Sequence, residues 1–272
     1  VTVFFRTAVE LTQKNGRHPA MTTPVDESLW IRRFHPAPES RITLVCFPHA
    51  GGSASFFYPV SDAMQPTLQV VALQYPGRQD RRHERSLSSI AELADATFAA
   101  LRPLMDRPLA FFGHSMGATL AFEVAVRMRQ QLDTDPVTLF TSGRRAPSRY
   151  RHETVHQKSD DGLVRELKAL SGTDSRLLGD QELLRAILPA IRSDYTAAET
   201  YRYTTGPKLE CPIVALIGDQ DPKVDVDEAN AWADHTTDTF ELRIFSGGHF
   251  YLASNQAAVI NLISDQLLSL SI

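Results

Sequence analysis

With 272 residues the chain is long enough to bury a sizeable core without help from disulfides or metals, and a formal net charge of −4 leaves no basic field to attract nucleic acid. Its two cysteines, Cys46 and Cys211, lack metal-type spacing and lie in or beside apolar runs, so they read as buried, reduced thiols. No apolar stretch approaches the roughly 18–20 residues that cross a bilayer, and no secretory signal opens the chain; both features favour the cytoplasm.

Val1–Phe5 is apolar, but Arg6 interrupts it and Glu10, Lys14 and Arg17 follow, leaving no continuous signal-peptide core; residues 1–23 are expected to form a flexible leader ahead of the folded part. Trp30–Phe34 is a candidate edge strand. Continuous apolar runs then follow at Ile42–Phe47, Leu68–Leu73, Leu109–Gly113, Val137–Ser142, Ile213–Gly218 and Phe240–Phe245. Such runs, apolar on both faces, are the pattern of parallel strands covered by helices. Helical patterns alternate with them at Ser53–Met64, Ser88–Leu101, Met116–Gln131 and Ala253–Leu270, which predicts a doubly wound α/β sheet. One interval is too long for a crossover: about 70 residues separate Ser142 from Ile213. Asp161–Leu170 and Asp180–Tyr201 read as amphipathic helices there, the second with a stripe of Leu183, Leu184, Ile187, Leu188 and Ile191. An insertion after a strand whose C-terminal end borders a site is expected to be a lid, at about residues 146–206.

Gly113-His114-Ser115-Met116-Gly117 fits G-x-S-x-G between a strand and a helix, the setting of a nucleophile elbow. Small residues flank the serine because its turn is sharp, and the helix behind it offers free N–H groups to developing negative charge. A serine hydroxyl needs a base and an orienting carboxylate. His249 follows the strand Phe240–Phe245 after two glycines, and Asp219 and Asp221 both follow the strand Ile213–Gly218. Asp221 is the preferred acid; Asp219 ends its strand directly and suits an Asx turn, while Asp225 and Asp227 read as solvated or helix-capping. Two N–H donors must also face a tetrahedral oxyanion. Met116, just after the nucleophile, is one candidate, and Ala50, in the glycine-rich loop Phe47–Gly52, is the other. His49 in that loop is expected to pack or to hydrogen-bond locally.

The motifs F-P-H-A-G-G (Phe47–Gly52), Q-Y-P-G-R (Gln74–Arg78), G-H-S-M-G-A (Gly113–Ala118), S-G-R-R-A-P (Ser142–Pro147), G-D-Q-D-P (Gly218–Pro222) and G-G-H-F (Gly247–Phe250) together resemble the type II thioesterases. These stand-alone editing enzymes accompany polyketide synthases and nonribosomal peptide synthetases. The similarity runs from about Ser40 to the C-terminus, and takes in L-S-G-T (Leu170–Thr173) and the segment Ile187–Tyr201. It implies an α/β-hydrolase domain over residues 24–272 that hydrolyses acyl groups from the phosphopantetheine arm of an acyl or peptidyl carrier protein. Carried over, Ser115, Asp221 and His249 form a triad, with Ala50 and Met116 as oxyanion donors. No metal or organic cofactor is needed, and a monomer is expected. Two arginine groups are candidate contacts to carrier or phosphate: Arg78, Arg81, Arg82 and Arg85, and Arg144, Arg145, Arg149 and Arg151. Solvated surface and internal ion pairs are the other reading of both. A carboxylesterase or lipase would use the same triad, and a binding protein could keep the scaffold without the chemistry.

Overall fold

In the computed structural model, which describes residues 26–170 and 181–270, seven strands form one sheet: β1 (Ile31–Arg32), β2 (Thr43–Phe47), β3 (Gln69–Leu73), β4 (Leu109–His114), β5 (Thr138–Ser142), β6 (Ile213–Gly218) and β7 (Phe240–Phe245). Their order is β1-β3-β2-β4-β5-β6-β7, and every pairing is parallel except the antiparallel edge pair β1 with β3. The doubly wound α/β sheet expected from the run pattern is therefore the architecture. The leader at 1–23 and positions 171–173 of the L-S-G-T motif lie outside the described residues.

Alternation along each strand divides the core into two layers. Val45, Phe47, Val71, Leu73, Leu109 and Phe111 face α3 (Ile90–Leu101) and α4 (Met116–Leu132). Leu44, Cys46, Val70, Ala72, Ala110 and Phe112 face α2 (Tyr58–Met64) and the C-terminal helix α8 (Gln256–Leu268). With both faces covered, β2, β4, β5 and β6 are buried along their whole length. β7 closes the far edge with Ile244 half exposed and charged Glu241 and Arg243, which blunts its free ladder.

Two boundaries differ from expectation. The edge strand spans only Ile31–Arg32, since a helical turn α1 (Glu27–Trp30), capped by Asp26, takes up Trp30. Ser53–Met64 is divided into a tight 3-10 turn, Ala54–Phe57, and α2. Pro59 has no N–H to donate to a carbonyl one turn back, so it stands in the first turn of α2 and a continuous helix cannot run through it.

The insertion between β5 and β6 carries α5 (Asp160–Leu170) and α6 (Gln181–Thr200). Leu163, Leu167, Leu188, Ile191 and Tyr195 form a separate apolar cluster, against which Ala50 of the β2 loop also packs. The last helix before the β7 edge, α7 (Val226–Asn230), is held by a capping box between Asp225 and Glu228. Asp225 is thus a cap, as its position suggested.

Candidate active site

β4 ends in the elbow. Ser115 adopts φ 55° and ψ −118°, a conformation that costs a non-glycine residue of order 1–3 kcal/mol, and its N–H donates to Ser142 O on β5 at 2.7 Å. Both flanking glycines are there for space. A Cβ on Gly113 would lie 2.3 Å from Gly117 O, and one on Gly117 would lie 2.0 Å from Phe47 O. Ser115 is the N-cap of α4, so the Met116 N–H belongs to the first turn, whose donors have no carbonyl within the helix to bond.

The three polar side chains expected to meet do meet. His249 Nε2 lies 2.9 Å from Ser115 Oγ, and His249 Nδ1 lies 2.9 Å from each Asp221 oxygen. His249 is buried, and the Asp221 side chain has no exposed surface. Asp221 also accepts from the Lys223 N–H at 2.8 Å, which fixes the carboxylate from behind. Of the two aspartates open at the sequence level, Asp221 reaches the ring. Asp219 instead accepts from the Gly247 N–H at 2.8 Å.

A narrow cleft, open to solvent, lies over Ser115 and His249. Ala50 and Met116 line it beside them. Its far wall is contributed by the insertion: Leu167, Leu170, Tyr195, Ala198 and Glu199, with Arg144, Glu153 and Lys223. The charges there are paired. Glu153 bonds Arg145 and lies 3.1 Å from Lys223, and Lys223 lies 2.7 Å from Glu166. Burial alone would raise the Glu153 pKa, but Arg145 and Lys223 outweigh it and bring it down to about 2. Among the described residues Arg144 bonds no carboxylate; its Nε donates to Thr119 Oγ1 at 2.9 Å and its Nη2 to Ala198 O at 3.3 Å. Burial, and then Arg145 beside it, lower its pKa to about 10.

Two further histidines flank the site and stay neutral. His49 packs edge-on between Phe56 and Phe250, with centroids at 4.7 and 4.9 Å, as local packing predicted. Burial, then the proximity of His249 and Arg78, push it down to about 3. His114 is fully buried 5.1 Å from the His249 ring, and burial holds it well below the usual histidine range. Uncharged neighbours cannot oppose a positive charge forming on His249.

The arginines divide between the two readings. Arg78, Arg81 and Arg145, named as candidate carrier contacts, are buried in internal pairs with Asp194, Glu84 and Glu153. Arg81 also lies over the Trp30 ring at 4.7 Å. A buried guanidinium needs such a partner, and each has one at hand. Arg151 pairs with Glu228 and Asp225. Arg82, Arg85 and Arg149 remain on the surface, and Arg144 stands in the cleft wall. Sequence reading singled out neither Asp194 nor the Glu153–Lys223–Glu166 group. Among the described residues no group of three or more His, Cys, Asp or Glu side chains could hold a metal ion, and no helix is long and apolar enough to cross a membrane.

Comparison with known proteins agrees with the geometry. The family described as Thioesterase domain matches residues 42–267. Thioesterase PikA5 of Streptomyces venezuelae is 52% identical over 245 residues, 90% of this chain and 87% of its own. The gramicidin S biosynthesis protein GrsT of Aneurinibacillus migulanus is 34% identical over 88% of this chain and 93% of its own. Among solved structures, the type II thioesterase BorB from the borrelidin cluster superimposes with a TM-score of 0.83 at 51% identity, covering 90% of this chain and all of that one. RedJ, from the prodiginine pathway of Streptomyces coelicolor, does so at 0.79 and 32%, over 97% of both chains. The chain therefore belongs to the thioesterase family, as a thioester-cleaving α/β-hydrolase of the type II kind.

Proposed function

We propose that this thioesterase strips acyl groups from the phosphopantetheine arm of acyl or peptidyl carrier proteins, as an editing enzyme of a polyketide or nonribosomal peptide assembly line. The observation that carries the reading is the unbroken chain of 2.9 Å contacts from Ser115 Oγ through the His249 ring to Asp221, at the floor of an open cleft. His249 Nε2 removes the Ser115 proton as Oγ bonds the thioester carbonyl carbon. Asp221 holds the ring tautomer and stabilises the imidazolium. The tetrahedral oxyanion is received by the N–H groups of Ala50 and Met116, each worth on the order of 3–4 kcal/mol. Collapse breaks the C–S bond, and His249 returns the proton to the departing thiol. Water then attacks the acyl-serine with His249 again as base, the C–O bond breaks, and the free acid leaves with Ser115 reprotonated.

The insertion serves as a lid in this reading, its apolar cluster giving the acyl group a wall, with Glu153 and Glu166 beside it both paired to Lys223. Arg144, in the cleft wall without a carboxylate, and the exposed Arg82 and Arg149 are the arginines left to meet the arm's phosphate or an acidic carrier. Two buried free thiols, Cys46 and Cys211, suit the cytoplasm.

The test compares matched acyl thioesters and oxyesters, carried on a carrier protein and on a small thiol or alcohol. Turnover fastest on the carrier thioester, abolished by Ser115→Ala, is expected. Equal kcat/KM for the small oxyester would favour a general esterase. Reversing Arg82 and Arg149 to Glu should raise KM for the carrier substrate alone; an equal rise for the small thioester sinks the docking role.

A further inference from the structure

The β2 loop that carries Ala50 is gripped from two sides. From the sheet side, the Tyr75 hydroxyl donates to Pro48 O at 3.3 Å, and Gln74 Oε1 accepts from the Ala54 N–H at 2.9 Å. From the insertion side comes Asp194 of α6. Its Oδ2 accepts from the Gly51 N–H at 2.7 Å and also pairs with the Arg78 guanidinium. Asp194 is 1% exposed and Arg78 8%. One turn earlier on the same helix, Ile191 stands where a Gly51 side chain would be: a Cβ there would lie 2.8 Å from Ile191 Cγ1, and Gly51 has φ +75°.

We infer that Asp194 is a positioning residue for the oxyanion loop: it sets the peptide following Ala50, and so ties the competence of the Ala50 donor to the docking of α6. The inference rests on the proposed role of Ser115 and Ala50. Its physical basis is directional. Among the described residues, the Gly51 N–H finds its acceptor in a carboxylate oxygen 143 residues away on the insertion. Because Ile191 and Asp194 lie three residues apart on one helix face, the helix meets Gly51 with an apolar stop and a polar hook together. The Arg78 guanidinium gives the buried Asp194 carboxylate an ion-pair partner at the same point. Displacing α6 to admit an acyl arm releases the Gly51 N–H, and redocking it rebuilds the donor geometry that the oxyanion requires.

Removing Asp194 alone would leave a buried guanidinium uncompensated, so the test replaces both members of the pair. Arg78→Met with Asp194→Asn keeps an oxygen for Gly51; Arg78→Met with Asp194→Leu does not. The substrate is a propionyl thioester of N-acetylcysteamine, and the second readout is the rate at which a fluorophosphonate labels Ser115. The Asn-bearing pair should keep most of the wild-type kcat. The Leu-bearing pair should lose about 10–100-fold in kcat, since a displaced donor forfeits part of the 10²–10³ that losing one costs. KM should stay level, and labelling should slow in parallel. Equal kcat and labelling rates in the two pairs, or a loss confined to KM, overturn the positioning role while leaving the triad intact. A wild-type protein that resists labelling overturns the triad itself, and this inference with it.

Discussion

Asp219 Oδ1 accepts from the Gly247 N–H at 2.8 Å, so the carboxylate that ends β6 latches the loop of β7 by its backbone, two residues before His249. The Gln220 N–H to Gly247 O bond at 2.9 Å reinforces that latch. Asp221 alone touches the imidazole. The two acids therefore have separable tasks. Asp221→Asn should leave the fold intact and cut kcat about 10³–10⁴-fold, because an amide does not hold the required tautomer. Asp219→Asn should cost no more than about tenfold, because the amide oxygen can still accept from the exposed Gly247 N–H and only the charge assistance is lost. Steady-state kcat on one acyl thioester decides; equal losses would contradict the division.

The elbow glycines lead to a stability prediction with an internal control. Gly117→Ala sets a Cβ 2.0 Å from Phe47 O, a backbone atom at the end of the buried strand β2 that cannot step aside. The cost should reach about 3 kcal/mol, the upper end for overpacking. At Gly206 the nearest atom to an added Cβ is 3.9 Å away, so Gly206→Ala should stay within about 0.5 kcal/mol of wild type. Urea midpoints for the two variants are the measurement, and a Gly117→Ala protein as stable as Gly206→Ala would refute the close approach.

Most of the sheet was readable because covered parallel strands are apolar without interruption, as in LVCF (44–47) and VALIG (214–218), and because the elbow's glycines are demanded by local geometry. Residues whose meaning depends on distant partners were less readable. Arg78 and Arg82 look alike in sequence, yet one is buried on Asp194, 116 residues away, and the other is exposed. The stripe Leu184, Leu188, Ile191 runs on to Asp194 and Tyr195 at helical spacing. An acid on a buried helix face was the available signal, but nothing local says what it binds. The choice between Asp219 and Asp221 likewise turned on which of two neighbouring carboxylates β6 aims at a loop 28 residues on.

Acid sensitivity should begin above the carboxylate range. His49 is held down to about 3 by burial, then by His249 and Arg78, and His235 down to about 4, where burial outweighs the opposing pull of Asp234. Unfolded, both titrate near the ordinary value of 6.5. With folded pKa values below the unfolded one, the unfolded chain takes up protons first as pH falls. Stability is therefore full above about pH 6.5 and is lost progressively towards 4 and 3. At pH 5 each ring should account for about 2 kcal/mol of that loss. Urea midpoints measured from pH 7.5 to 5 should fall, and His49→Phe, which keeps an aromatic ring between Phe56 and Phe250, should flatten the decline. A midpoint independent of pH over that range would show that these rings are not buried neutral.

Beneath the elbow lies a buried polar chain. Tyr251 OH is 2.6 Å from Ser142 Oγ, which is 2.9 Å from His114 Nδ1, while the Ser142 carbonyl receives the Ser115 N–H. Among the described residues His114 Nε2 has no hydrogen-bond partner, so Ser142 is the polar anchor of that ring. Tyr251→Phe takes one member out of a fully buried network and should cost about 1–3 kcal/mol, since Ser142 loses a bond that bulk solvent does not reach to replace. Adding Ser142→Ala should cost less than the sum of the two single changes, because the hydroxyl left unsatisfied by the first is removed by the second. A coupling of about 1 kcal/mol is expected from the double-mutant cycle. The kcat of Tyr251→Phe should hold, because the elbow is fixed through the Ser142 backbone and not its hydroxyl. Strict additivity in urea unfolding would mean the three groups do not act as one network, and a large fall in kcat would mean that the hydroxyl chain reaches Ser115 after all.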